Sequence, residues 1–129
     1  MKAVGSDREK RLRANRSGRR AERMAAVWLV LRGYRILARG FSVSGGEIDL
    51  VVRRGGVVAF VEVKQRATRE AAMLAVTETK RRRIETAAGA WLRRNPWAMT
   101  STLRGDALLL APRHWPLHVA DAFTLDIGF

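Results

Sequence analysis

Residues 46–66 read GEIDLVVRRGGVVAFVEVKQR, and the way this stretch pairs with itself decides the fold. Two runs rich in Val and Ile flank Arg54-Gly55-Gly56-Val57. A Gly-Gly pair between alternating apolar segments signals a β-hairpin, because both residues can take positive φ. Counting back from that turn pairs Val52 with Ala59, Leu50 with Val61 and Ile48 with Val63 on one wholly apolar face. Side chains alternate with period two along a strand, so the other face pairs Val51 with Phe60, Asp49 with Glu62 and Glu47 with Lys64.

Directly opposed residues of an antiparallel pair have Cβ atoms about 4.5–5.5 Å apart, and like charges placed so repel. Asp49 facing Glu62 therefore requires an offset. A proton held by one carboxyl, the Lys64 ammonium beside them, or a divalent cation between them would each supply it. Two convergent oxygen ligands suit the cation best. A one-residue slip would dissolve the pair, but it would also turn the apolar face to the wrong side.

The composition points to a polyanionic partner. The chain has 129 residues, enough for one domain with a single core. Lys and Arg number 25 against 12 acidic residues, a formal net charge of +13. Such an excess favours nucleic acid first and anionic membrane surfaces second. There is no cysteine, which excludes disulfides and thiolate zinc sites. His114 and His118 are separated by Pro116, which argues against a shared helix face and places them in a turn and a strand.

Residues 1–16 carry a dense basic run and are expected to form a flexible arm, ordered on a phosphate backbone if at all. The apolar run 24–31 (MAAVWLVL) that follows imitates a signal peptide. Arg32 closes it early, no small-residue cleavage site follows, and it falls far short of the roughly 18 residues that span a bilayer. The expected location is the cytoplasm, without stable membrane association.

From 17 onward a single domain is expected. Ala21, Met24, Ala25, Trp28 and Leu31 recur at helical spacing, with Ser17 as a cap and Gly33 as a stop. Residues 34–43 read as a first strand leading into the hairpin, which makes a three-stranded meander. A second helix spans about 78–94, with Ile84, Ala87, Ala88, Trp91 and Leu92 on one side and Asn95-Pro96 at its end. Lys80, Arg81, Arg82 and Arg83 crowd its opening turns against the helix dipole, a local cost that hints at phosphate contacts. Residues 106–111 (DALLLA) suit a strand buried on both faces, and strand–helix–strand order permits a parallel crossover. Residues 117–120 read as an edge strand. The expected architecture is α/β, with helices on both faces of a mixed sheet.

Asp49 followed across the hairpin by Glu62-Val63-Lys64 resembles the PD-(D/E)xK signature of restriction-endonuclease-like nucleases, with Ile48 in place of the leading Pro. More closely, GEIDL (46–50) and FVEVK (60–64) look like the YraN-like family of small bacterial proteins, grouped with that fold and with Holliday-junction resolvases. The likeness continues through AERMAAVWLVLRGYRILAR (21–39), VTETKRRRIETAAGAWL (76–92), RGDALLL (104–110) and DAFT (121–124). Residues 67–75 depart from it, where the family usually carries a Gly-containing loop.

The resemblance implies a restriction-endonuclease-like domain and a metal-dependent DNA endonuclease, with branched or structured DNA as a substrate and a homodimer as an assembly. Asp49 and Glu62 would hold Mg²⁺ or Mn²⁺, joined by the Val63 carbonyl and, by resemblance alone, by Glu22 from the first helix. Lys64 would orient the attacking water or stabilise developing charge, and Glu47 would hold Lys64 or add a ligand. Arg19, Arg20, Lys80, Arg81, Arg82 and Arg83 are the expected phosphate contacts. The rival reading is a non-catalytic nucleic-acid-binding protein using the same basic surface, with the acids and Lys64 forming only a charge cluster.

Overall fold

The computed structural model describes residues 18–68, 70–71 and 77–127. The basic arm, Ser17 and most of the divergent stretch after Thr68 lie outside the described residues. The first helix, α1 (18–31), leads into β1 (Arg35–Val43), β2 (Gly46–Arg54) and β3 (Val57–Gln65). Helix α2 (Glu78–Arg94) and a 3₁₀ turn (Pro96–Thr100) precede β4 (Thr102–Leu110) and β5 (Leu117–Phe123). The strands form one sheet in sequence order: β1, β2 and β3 antiparallel, β3 and β4 parallel, β4 and β5 antiparallel. This is the expected mixed sheet of a restriction-endonuclease-like domain, with the α1 and α2 cores on its two faces.

The hairpin register is as read from the turn as far as Leu50 and Val61; the expected pairs Ile48–Val63, Asp49–Glu62 and Glu47–Lys64 fall outside the β2–β3 ladder. Val52 pairs with Ala59, Leu50 with Val61 and Val51 with Phe60. Only Gly55 takes positive φ, 60°, as a two-residue turn needs at its first central position in the II′ form. Alternation then directs Leu50, Val52, Ala59 and Val61 to the α1 core, and Val51, Val58 and Phe60 to the α2 core.

One expected face member is misplaced. Ile48 does not continue the Leu50–Val52 row but packs in the α2 core with Val51 and Ile84. The β2–β3 ladder extends from the turn only as far as Leu50 and Val61, and beyond it residues 46–48 pair with β1 alone. At their head, Gly46 lies directly under α2, where an added Cβ would come 2.5 Å from the Arg83 carbonyl oxygen and 2.7 Å from the Ala87 nitrogen. The imperfect alternation of β1 has a similar local cause, a register shift between Ile36 and Ala38.

Helix α2 has the bounds and the buried side expected of it: Ile84, Ala87, Ala88, Trp91 and Leu92 are all buried. Thr77 caps its start by accepting from the Lys80 amide, and Asn95 ends it. Helix α1 is rotated from its expected phase. Its buried side is Ala21, Ala25, Ala26 and Leu29, while Met24 and Leu31, both expected inside, are 58% and 77% exposed. Its C-terminus is the expected one: the Gly33 and Tyr34 amides donate to the Val30 and Leu29 carbonyls, a Schellman arrangement.

β4 begins earlier than expected, at Thr102, and is buried on both faces from Gly105 to Leu110. β5 runs on to Phe123, and Leu125 and Ile127 of the tail pack against the α2 core.

Candidate active site

Asp49 and Glu62 occupy the first positions beyond the paired part of the hairpin. Because β2 and β3 part there, the Asp49 carboxylate enters the gap, and its Oδ2 accepts from the Val63 amide at 2.8 Å. Glu62 is 1% exposed. Its Oε1 receives two ammonium groups, Lys64 Nζ at 3.0 Å from the same strand and Lys80 Nζ at 3.5 Å from the first turn of α2. Its Oε2 is buried and has no hydrogen-bond partner.

The two acids sense one another. Burial, then the Asp49 charge, push the Glu62 carboxyl up to about 7, against the pull of both lysines. Asp49 is also raised, by burial, although the Val63 amide and Lys80 act the other way. Two ionised carboxylates have no donor to offer each other. The orphaned oxygen of Glu62 therefore calls for a proton or a cation.

A cleft of about 300 Å³ opens on the α1 side of this pair, lined by Gly18, Glu22, Asp49, Val63 and Lys64 among others. Glu62 lies behind it and does not line it. Glu22 shares the cleft with Asp49; burial and then the Asp49 charge raise its carboxyl, while Arg39 lies 3.8 Å away. Among the described residues no three His, Cys, Asp or Glu side chains come close enough together to hold a metal ion. What the structure brings together is a pair of hard oxygen donors with Glu22 across the cleft. Mg²⁺ uses one or two carboxylates and keeps several waters, so the pair and its unsatisfied oxygen fit such an ion.

The expected hold of Glu47 on Lys64 is replaced by other pairings. Glu47 holds Lys80 at 2.8 Å and Arg83 at 3.9 Å, while the ion-pair partner of Lys64 is Glu62. The hydrogen bond from Lys80 draws the Glu47 carboxyl below its usual range. Lys80, expected only as a phosphate contact, is thus part of the acidic cluster; nothing in its sequence position signals this, because the contact comes from a separate element.

The other basic residues in the opening turns of α2 are also paired. Arg81 bonds to Glu78 and Glu85, and Arg82 lies 3.5 Å from Glu78. The cost inferred from four cations at a helix start is therefore offset by Glu78, the Thr77 cap and Glu47. Arg82 is nonetheless 74% exposed at its side chain, and Arg19 and Arg20 are exposed at the start of α1.

Arg104 and Asp106, two residues apart on β4, form a separate group around a buried carboxylate. Arg104 donates through Nε and Nη2 to the two Asp106 oxygens, each at 2.8 Å. His118 Nε2 lies 2.7 Å from Oδ2, the Asp121 amide donates to Oδ1, and Arg104 reaches the Tyr34 hydroxyl.

The model of a family described as "Uncharacterised protein family UPF0102" matches residues 21–110. Similar proteins include the UPF0102 protein of Methylobacterium nodulans, 55% identical over 109 residues that cover 84% of each chain. The UPF0102 protein of Methylocella silvestris is 51% identical over 122 residues, 95% of this chain and 98% of its own. One from Brucella canis is 50% identical over 117 residues, 91% of this chain and 93% of its own. Among the described residues no helix is long and apolar enough to cross a membrane.

Proposed function

Starting from a chain that belongs to the uncharacterised protein family UPF0102, the YraN-like family of the sequence resemblance, we propose a Mg²⁺- or Mn²⁺-dependent endonuclease that hydrolyses phosphodiester bonds in DNA. The observation that carries this reading is Glu62 Oε2, a buried carboxylate oxygen without a partner beside a second acid and a lysine. Buried polar atoms are almost always satisfied, and an exception needs an explanation. A divalent ion would satisfy this one.

Asp49 and Glu62 would hold the ion, with the Val63 carbonyl and Glu22 as further oxygen donors. When bound, it supplies charge neutralisation at the phosphoryl oxygens and a lowered pKa for an attacking water. Lys64 lines the cleft beside Asp49, where its ammonium can orient that water and stabilise charge on the phosphoryl group. Arg19 and Arg20 lie close to the cleft through Gly18, and Arg82 and Arg83 project from α2 to meet backbone phosphates. Branched or structured DNA is the substrate class suggested by the resemblance to resolvases, and that resemblance also suggests a homodimer.

The test is incubation with four-way junction, flap, single-stranded and plasmid DNA, with Mg²⁺ or Mn²⁺. Wild-type protein is expected to cut at least one, and Asp49→Asn and Lys64→Ala to bind DNA but lose cleavage by two orders of magnitude or more, roughly the scale of losing one electrostatic group. A second reading, a non-catalytic nucleic-acid binder, is favoured by the lysines already paired with Glu62. It predicts salt-dependent binding indifferent to metal and to both substitutions.

A further inference from the structure

Lys80 is the unusual member of the cluster because it has two acidic partners of unequal reach. Its ammonium lies 2.8 Å from Glu47 Oε1 and 3.5 Å from Glu62 Oε1. Glu62 is buried and Glu47 is partly exposed, with side-chain exposures of 2% and 43%. The long lysine side chain, anchored in the first turn of α2, can shift its weight between them with small torsional changes. On the sheet side the backbone is fixed: Glu62 is held in the β3–β4 ladder opposite Ala107, and Gly46 presses β2 against α2.

With Lys64, the Lys80 ammonium 3.5 Å from Glu62 stabilises that carboxylate when no divalent ion is bound. The same positive charge repels a divalent ion brought to the same carboxylate, and in a buried setting that repulsion is substantial. We propose that Lys80 is a resident counter-ion of Glu62 that competes with the divalent cation, and that Glu47 is the acceptor onto which Lys80 withdraws when the cation enters. Lys80 and Glu47 are positioning residues in this scheme. They set how tightly the site takes its ion, while Lys64 stays with the strand. The inference rests on the proposed reading that Asp49 and Glu62 hold a divalent ion, and it adds a control on that step.

The experiment is Mn²⁺ binding measured by calorimetry in the absence of DNA, on full-length wild type, Lys80→Met, Glu47→Gln, the double variant and Asp49→Asn. Thermal melts of each check folding. Lys80→Met is expected to tighten Mn²⁺ binding several-fold, and Glu47→Gln to weaken it several-fold. In the Lys80→Met background Glu47→Gln should change little, because its effect acts through the missing ammonium. Equal weakening by Glu47→Gln in both backgrounds would overturn the withdrawal of Lys80 onto Glu47. Mn²⁺ binding that depends on Asp49 but is unchanged or weaker in Lys80→Met would overturn the competition and leave the metal reading standing. No binding by wild type or by Lys80→Met would overturn both.

Discussion

Two acids are fully buried among the described side chains, and they are treated in opposite ways. Asp106 is 0% exposed and Glu62 is 1% exposed. Burial raises both carboxyls, yet the hydrogen bonds from His118, Arg104 and the Asp121 amide outweigh it at Asp106 and hold its pKa below the usual value. At Glu62 burial wins, helped by Asp49, and the carboxyl sits at about 7. Asp106 uses both oxygens; Glu62 crowds two ammonium groups onto one oxygen and leaves the other bare. A satisfied buried charge holds elements together, whereas an unsatisfied one is available for chemistry.

The sharpest way to break this contrast is Asp106→Ala. It strands Arg104 without its partner, and removing one half of a buried pair costs about 3–5 kcal/mol. Urea unfolding should register that loss while Mn²⁺ uptake by the folded fraction is unchanged. A loss of Mn²⁺ binding would mean the two clusters are not separate.

Glu62→Gln should behave in the reverse way. A carboxyl raised from 4.5 to about 7 favours folding most below pH 4.5, where it is protonated in both states, and loses that contribution as pH rises through about 7. Wild type minus Glu62→Gln should therefore show stability falling over this window, by on the order of 1–3 kcal/mol. A flat difference across that pH window would show that Glu62 is as well satisfied as Asp106. The smallest effect is expected at Glu47→Gln, a partly exposed ion pair whose removal should cost about 0–1 kcal/mol in urea unfolding. A larger loss would make the Lys80 bridge structural.

How far each region is legible in the sequence follows from the range of its contacts. The hairpin is local, and the Gly55-Gly56 turn sets its register, so Asp49, Glu62 and Lys64 fall together on residue order alone. Helix α2 has five apolar residues on one side with cations flanking them at both ends, and its buried face is equally plain. α1 is not, because residues 24–31 are almost continuously apolar and periodicity cannot choose among faces. The sheet takes Leu29, and Met24 and Leu31 stay outside. Lys80 meets Glu62 from another element, and His118 meets Asp106 from the edge strand; neither contact leaves a mark on spacing. Ile48 escapes the pattern beyond the point where β2 leaves β3 and stays paired with β1 alone.

Gly46 gives the helix no spacer from the strand beneath it. A single methyl group there would collide with main-chain atoms, so α2 would have to lift, and the root of Lys80 would lift with it. The shortest residue in the chain thereby meters the reach of one of the longest, and exchange for alanine at this point should loosen a lysine whose own codon is untouched.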